Sequence, residues 1–228
     1  MAVVLTRSYN VNSASNTQNQ TITISSFKPT TGEIIVVKAI TQDQQTGFNG
    51  SPTATGGGIT WTLCAENNNV GNVHAAIWTG TVTAGGSFIT VSITSLGSIP
   101  AYVSMVLERW SGAQLSSTPS TVYANGLGMP TATLTVVGTG SVVTYLSGDW
   151  SAVAGTATYT GGATQDGTHV VAGAYSAYYS YQTVSAGLVT LGMTAPTGQT
   201  YSVLAIEIQV SGQVNPGPTV MMTTGVGS

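Results

Sequence analysis

Charged side chains are scarce in this chain of 228 residues, which has four Lys or Arg and seven Asp or Glu. They make up 5% of the sequence, whereas an average soluble protein has about 25%. A protein that binds the phosphate backbone of a nucleic acid needs clustered cations, but those of this chain are dispersed. They are Arg7, Lys28, Lys38 and Arg109. We therefore predict that nucleic acid is not a direct partner.

Cysteines, long apolar runs and an export signal are also absent or nearly so. Cys64 is the only cysteine, which excludes an intramolecular disulfide. No apolar run is long enough to cross a bilayer, so we predict no membrane association. The first residues, MAVVLTR, have neither the basic start nor the long apolar core of a signal peptide. The low charge and high Thr, Ser and Gly content nevertheless resemble the composition of extracellular proteins. Assembly of a virus in the host cytoplasm, export by a non-classical route or prior removal of a signal would each explain this combination.

Recognisable catalytic motifs are missing as well. The sequence contains no Gly-x-Ser-x-Gly, His-Glu-x-x-His, Cys-x-x-Cys or phosphate-binding loop. Asp43, Asp149 and Asp166 are isolated acids in predicted Gly-rich loops, without the dense spacing that a calcium site requires. Because so few ionisable groups are available to build an active site, we predict no enzymatic activity, no cofactor and no metal site.

What the sequence does contain is a pattern typical of β-sheet. Ile22 and Ile24 alternate with Thr21 and Thr23, and a period of two is typical of half-buried antiparallel strands. No segment has the periodicity of an amphipathic helix. We predict an all-β protein made of antiparallel β-sandwiches, with either jelly-roll or Ig-like topology. The predicted strands are 3–9, 20–25, 33–40, 59–65, 73–80, 88–94, 102–110, 131–137, 141–147, 156–160, 169–181, 188–193 and 201–210.

The second half of the chain repeats the first half. The segment from Tyr102 to Glu108 has the same spacing as the segment from Tyr201 to Glu207, and both continue to Ser-Gly. We interpret the repeat as an internal duplication that produced two tandem sandwich modules. The predicted boundaries are 1–113 for the first module, 114–125 for a linker, 126–212 for the second module and 213–228 for an extended C-terminal arm.

Two pairs of ionisable residues have matching places in this repeat. His74 and His169 are candidate metal ligands or bases, but neither has a second ligand at suitable spacing, which favours polar residues at strand starts. Glu108 and Glu207 lie opposite an apolar strand face, which predicts outward-facing or edge residues. They belong to different modules, so a structural acid that accepts a hydrogen bond from a loop is favoured over acid–base chemistry.

The strongest local signal for binding is a tyrosine-rich segment. Tyr175, Tyr179 and Tyr181 share one face of a predicted strand, where they could stack on sugar rings, cover a partner or fill a core. Apolar residues of the C-terminal arm are the second signal, because the arm either docks on a neighbouring subunit or folds back. The predicted interaction surface consists of Tyr175, Tyr179, Tyr181, Val220, Met221 and Met222.

Several short motifs resemble the β-sandwich domains of tailed-bacteriophage virion proteins, which include capsid decoration proteins, head fibres and minor tail proteins. The motifs are Thr60-Trp61-Thr62, Trp78-Thr79-Gly80, Gly85-Gly86 before Phe88, and the segment from Glu108 to Gly112. The second module departs from this pattern, because Tyr159 and Tyr175 stand where Trp61 and Trp78 would align. The resemblance carries over no functional site.

The resemblance implies a structural role in a virion. The expected function is a capsid decoration protein that binds the major capsid protein on the outer surface of the coat and forms homo-oligomers such as trimers. The alternative is a tail or fibre protein that recognises a host glycan through its tyrosine-rich strand. Either role implies a virion location, with synthesis in the host cytoplasm.

Overall fold

The structure, a computed structural model, describes residues 2–42, 47–68, 73–96, 100–115, 121–149, 153 and 155–212. These segments form antiparallel β-sheets, which confirms the predicted all-β sandwich class. Within them, the only helical element is a 3-10 turn at Thr160–Gly162, and no helix could span a membrane.

The strands of the first half are β1 (Val4–Asn12), β2 (Thr21–Phe27), β3 (Ile34–Thr41), β4 (Thr53–Ala54), β5 (Thr62–Asn68), β6 (His74–Thr81), β7 (Ile89–Thr94) and β8 (Val103–Ser111). A short strand, β9 (Ala113–Gln114), follows them. The strands of the second half are β10 (Thr121–Gly128), β11 (Thr131–Val136), β12 (Ser141–Asp149), β13 (Thr158–Tyr159), β14 (Thr164–Val171), β15 (Tyr175–Val184), β16 (Gly187–Ala195) and β17 (Gln199–Val210).

Each half of the chain forms one large and one small sheet. In the first half the strand orders are β1-β8-β3-β6-β5 and β2-β7-β4. In the second half they are β10-β17-β12-β15-β14 and β11-β16-β13, with β9 paired to β17. In both halves the first strand pairs with the last, the second with the second-last and the third with the third-last, which is jelly-roll nesting. The strand order therefore selects the jelly roll over the Ig-like topology, while the duplication itself stays a prediction.

The four sheets stack in layers that enclose three apolar cores. The first-half core surrounds Trp78 and the second-half core surrounds Tyr145, each between a large and a small sheet. A third core, which we call the middle core, lies between the two large sheets and contains Val36, Leu146 and Leu204. Because this core draws on both halves, the two halves pack together as one body.

Strand β3 is buried between two cores, and its sequence is mainly apolar on both faces, with Lys38 as its only charged residue. Val36 and its even-numbered neighbours face the middle core, whereas Val37 and its odd-numbered neighbours face the first-half core. A strand that is buried on both faces needs apolar residues at nearly every position. The continuous apolar run predicted a central strand, and β3 does lie between β8 and β6.

Two segments differ from the predicted elements. Residues 121–125 of the predicted linker belong to β10, which pairs with β17 along its whole length. The predicted strand 169–181 is two strands, β14 and β15, because a turn at Gly173 separates them. Gly173 has a φ of +71°, a left-handed conformation that glycine adopts without steric cost. The C-terminal arm, including Val220, Met221 and Met222, lies outside the described residues.

Between β8 and β17, the sequence repeat is one residue out of phase with the structural repeat. Glu108 pairs with Val36 and shares its face toward the middle core. Glu207 pairs with Val143 and shares its face toward the second-half core. Because successive residues of a strand point to opposite faces, a shift of one residue moves a side chain from one core to another. The matching of Glu108 with Glu207 in the sequence is therefore wrong as a structural equivalence.

Strand order, register and facing together give the correct counterparts. Lys38 pairs with Val106 toward the middle core, and Leu146 pairs with Leu204 toward the same core. Counted from the Thr-Gly pair that precedes each strand, Thr31-Gly32 for β3 and Thr139-Gly140 for β12, Lys38 corresponds to Leu146. The register then makes Glu108 correspond to Ile206. The second half thus has apolar residues in the two places where the first half has charged ones.

Substitution of Gly148 tests the close packing of the two large sheets. A Cβ atom at this position of β12 would lie 2.7 Å from Val73 Cγ2 and 3.1 Å from Ile40 Cγ2. We expect Gly148→Val to lower the free energy of unfolding by about 1–3 kcal/mol, because overpacking strains a close-packed core. Thr135→Val on the exposed face of β11 is the control and should change it by less than about 0.5 kcal/mol. Equal urea-unfolding midpoints for the two variants would contradict the tight sheet contact.

Candidate functional site between the two large sheets

The middle core contains an ion cluster that joins the two halves of the chain. Lys38 Nζ lies 2.6 Å from Oε1 of Glu108 and 3.1 Å from both carboxylate oxygens of Asp166. The side chains of Lys38 and Glu108 are 0% exposed and that of Asp166 is 2% exposed. Lys38 is on β3 and Glu108 on β8 of the first-half large sheet, whereas Asp166 is on β14 of the second-half large sheet.

Further hydrogen bonds fix the orientation of the cluster. Thr144 Oγ1 donates to Oε1 of Glu108 over 2.8 Å, and Trp110 Nε1 donates to Oε2 over 2.9 Å. Lys38 Nζ also donates to the backbone carbonyl of Ser180 over 3.3 Å. A buried ion pair is tolerated only where its remaining donors and acceptors find partners. Glu108 meets this condition with three partners, two from its own half and Thr144 from the other.

Asp166 reaches the cluster because the backbone of β14 is irregular and close at this point. The register between β14 and β15 shifts between Gln165 and Gly167, so Asp166 lies in a β-bulge. A bulge changes the direction of a side chain relative to a regular strand. A Cβ atom on Gly167 would lie only 2.3 Å from Val106 Cγ2. Glycine at position 167 therefore allows β14 to approach β8, and the bulge aims the Asp166 carboxyl into the middle core.

Burial controls the protonation of Asp166. Loss of hydration disfavours the carboxylate and raises the pKa of Asp166 to about 8. The Lys38 ammonium lowers this pKa and the Glu108 carboxylate raises it, but burial is the largest effect. Burial therefore favours the neutral, protonated form of the Asp166 carboxyl.

A second set of hydrogen-bonded polar side chains in the middle core includes two of the tyrosines that were predicted to form an interaction surface. The Ser104 hydroxyl makes hydrogen bonds to the hydroxyls of Tyr175 and Tyr179, and Tyr175 also donates to the carbonyl of Ile40. Tyr175 and Tyr179 are both 0% exposed. Their assignment to an exposed interaction surface is therefore wrong, because the first half of the chain covers the face on which they lie.

Tyr181 lies at the border of the same face. It is partly buried against the middle core, and its ring meets the Trp110 ring edge-on at a centroid distance of 5.3 Å. The prediction that Tyr175, Tyr179 and Tyr181 share one strand face is confirmed. That face is an internal contact between the two large sheets, so the row cannot stack on a sugar from outside.

The two histidines do not occupy equivalent places. His74 begins β6, whose counterpart is β15, whereas His169 lies on β14. His74 Nε2 lies 2.8 Å from Oε1 of Glu66. His169 is half-buried, meets the Tyr175 ring edge-on, and has a pKa lowered by burial. Within the described segments, no three His, Cys, Asp or Glu side chains are arranged to hold a metal ion.

The remaining predicted acids have structural partners. Glu207 accepts hydrogen bonds from the backbone amides of Val137 and Gly138, so it is the loop-binding acid that the sequence favoured. Asp149 lies in β12 rather than in a loop and accepts from the Thr200 amide over 3.2 Å. Asp43 lies outside the described residues. The prediction that Glu108 faces outward is wrong, because the second half packs on its face.

Sequence reasoning missed the cluster although one signal was present. Lys38 is the only charged residue within the apolar run of β3, and Lys is almost never fully buried unless it is paired. A lone Lys in a central strand therefore predicts a buried acid nearby. The sequence did not indicate that Asp166, 128 residues away, supplies part of that pairing.

Comparison of the chain with protein-family models, with curated proteins and with solved structures gives no match.

Removal of the Glu108 carboxylate tests the importance of the cluster. We expect Glu108→Leu to lower the free energy of unfolding by about 3–5 kcal/mol, because a broken buried ion pair leaves an uncompensated charge. Glu66→Gln is the control, since Glu66 is exposed and the amide oxygen can still accept a hydrogen bond from His74, so the change should stay below about 1 kcal/mol. Both values come from chemical unfolding curves. A loss below about 1 kcal/mol for Glu108→Leu would show that the cluster is dispensable.

Proposed function

We propose that the chain is a structural protein of a virus particle, of the capsid-decoration type, that attaches to the outer surface of the coat. The observation that supports this proposal is the location of the charges. Most acidic and basic side chains are buried, namely those of Glu33, Lys38, Glu108, Arg109, Asp149, Asp166 and Glu207. Of the charged side chains that the structure describes, Arg7, Lys28 and Glu66 stay exposed. The charges thus act inside the fold, and the exterior is nearly neutral.

A nearly neutral exterior suits permanent contact with neighbouring subunits. Contacts made by apolar area and neutral hydrogen bonds depend little on salt, unlike contacts between exposed charges. A particle repeats each contact many times, so a weak single interface holds through multivalency. In this role the chain forms homo-oligomers, binds the major capsid protein, and needs neither cofactor nor enzymatic activity.

Strand β10 offers a surface for such contacts. It forms an edge of the second-half large sheet and carries Tyr123 and Leu127, which are 69% and 79% exposed. An edge strand presents main-chain donors and acceptors to a neighbouring chain. The exposed aromatic and aliphatic side chains add apolar area that a coat subunit would bury.

The alternative function, a tail or fibre protein that binds host glycan, depended on an exposed row of tyrosines. Tyr175 and Tyr179 are buried between the two large sheets. The exposed tyrosine row on which the glycan hypothesis rested is therefore absent, and no other feature of the described residues supports that hypothesis.

The proposal predicts that the chain is a stoichiometric component of particles. Quantitative mass spectrometry of gradient-purified virus particles from the source of the sequence should find the chain at a fixed ratio to the major coat protein. The chain should remain bound when salt is raised from about 0.1 to 1 M, because exposed charges contribute little to its contacts. Recovery only in the particle-free fraction would refute the virion role.

Two variants distinguish specific attachment from trapping in the preparation. The double substitution Tyr123→Ser and Leu127→Ser should weaken binding of purified chain to stripped particles by about tenfold or more, since it removes apolar contact area. Thr133→Ser on the exposed face of β11 should bind like the parent chain. If the double variant also binds normally, β10 is not the docking strand.

A further inference from the structure

The amine of Lys38 lies beside the carboxyl carbon of Asp166. Lys38 Nζ is 3.1 Å from Oδ1 and 3.1 Å from Oδ2 of Asp166, so it is equidistant from the two oxygens bonded to Cγ. This arrangement puts the nitrogen about 3–3.5 Å from Cγ, the separation at which two reacting atoms form a bond once their orbitals are aligned. Glu108 Oε1, 2.6 Å from the same nitrogen, is in place to accept its proton.

We propose that Lys38 and Asp166 form an intramolecular isopeptide bond between the two halves of the chain, with Glu108 as the catalytic acid–base. The proposal concerns a self-catalysed covalent modification inside the fold. It does not depend on the virion role, since each has its own test.

The reaction is a condensation that needs no oxidant, reductant or other co-reactant. The Lys38 ammonium gives one proton to the Glu108 carboxylate and becomes a neutral amine. The nitrogen lone pair attacks Cγ of the protonated Asp166 carboxyl and forms the C–N bond. A second proton of the nitrogen passes through Glu108 to the departing hydroxyl, and the C–O bond breaks. The products are a neutral amide, a protonated Glu108 and one water molecule, so atoms and charge balance.

The surroundings favour each requirement of this reaction. The Asp166 pKa is raised to about 8, so the carboxyl carries the proton that lets its oxygen leave as water. The apolar middle core disfavours separated charges, which promotes proton transfer from Lys38 to Glu108. Hydrogen bonds from Thr144 and Trp110 hold the Glu108 carboxylate in position. Exclusion of bulk water protects the amide from hydrolysis.

Three observations distinguish this site from an ordinary structural ion pair. The fold does not require charges here, because Leu146 and Ile206 fill the corresponding positions of the second half. Two acids surround a single base, which an ion pair does not need and an acid–base reaction does. The bulge in β14 aims Asp166 at the amine, and bulges are frequent next to active sites.

The intact mass of the purified full-length chain tests the proposal. We expect a mass lower than that of the sequence by one water molecule, after allowance for removal of the initiator methionine. Trypsin should no longer cleave after Lys38, and the peptide that contains Asp166 should stay attached to the one that contains Lys38 in denaturing, reducing conditions. A folded chain with the full sequence mass after prolonged incubation overturns the proposal, and this measurement does not depend on any variant.

Three variants test which residues react and which residue transfers the protons. Asp166→Ala should show the full mass of its sequence, and loss of water from it would overturn the assignment to Asp166. Asp166→Asn should lose ammonia instead of water and reach the same final mass as the parent chain. Glu108→Gln keeps both reacting groups, and its bond formation should be slower by about a hundredfold or more. An unchanged rate in Glu108→Gln would remove Glu108 from the mechanism.

Discussion

The contact between the two large sheets is the constraint on which the rest of the structure depends. It buries the second face of both sheets, so strands such as β3 and β12 are buried at every position. It also brings the backbones close enough that Gly148 and Gly167 have no room for a Cβ atom. Polar groups at this contact must find partners within it. The ion cluster and the hydrogen bonds of Ser104 with Tyr175 and Tyr179 provide such partners.

The sequence predicts the fold class and most strands because alternation and turn residues are local signals. Ile22 and Ile24 belong to a buried strand face, as their spacing indicates. The start of β10 was assigned to a linker because the strand is half-exposed and follows a Ser- and Thr-rich segment with the composition of a linker. The turn at Gly173 was not predicted because a single glycine within a tyrosine-rich segment is a weak turn signal. Both errors arise where local composition and strand pairing disagree.

The candidate site was less predictable, because its members come from strands far apart in the sequence. The pattern of β8 correctly placed Glu108 on the face opposite Leu107, but it did not reveal what covers that face. The same limit applies to Tyr175 and Tyr179, whose shared face is correct and whose exposure is not. Alternation identifies which residues point together. Whether that direction leads to solvent or to another sheet depends on tertiary packing, which a single sequence does not encode locally.

The short strand β9 has a consequence for the path of the chain. Ala113 and Gln114 pair with Val210 and Gln209 of the last strand, and the Gly212 amide donates to the Gln114 side chain over 2.8 Å. The point where the polypeptide leaves its first half and the point where it completes its second half are therefore neighbours in space. A peptide or fluorescent label fused after residue 212 would therefore begin beside β9, next to the connection between the two halves.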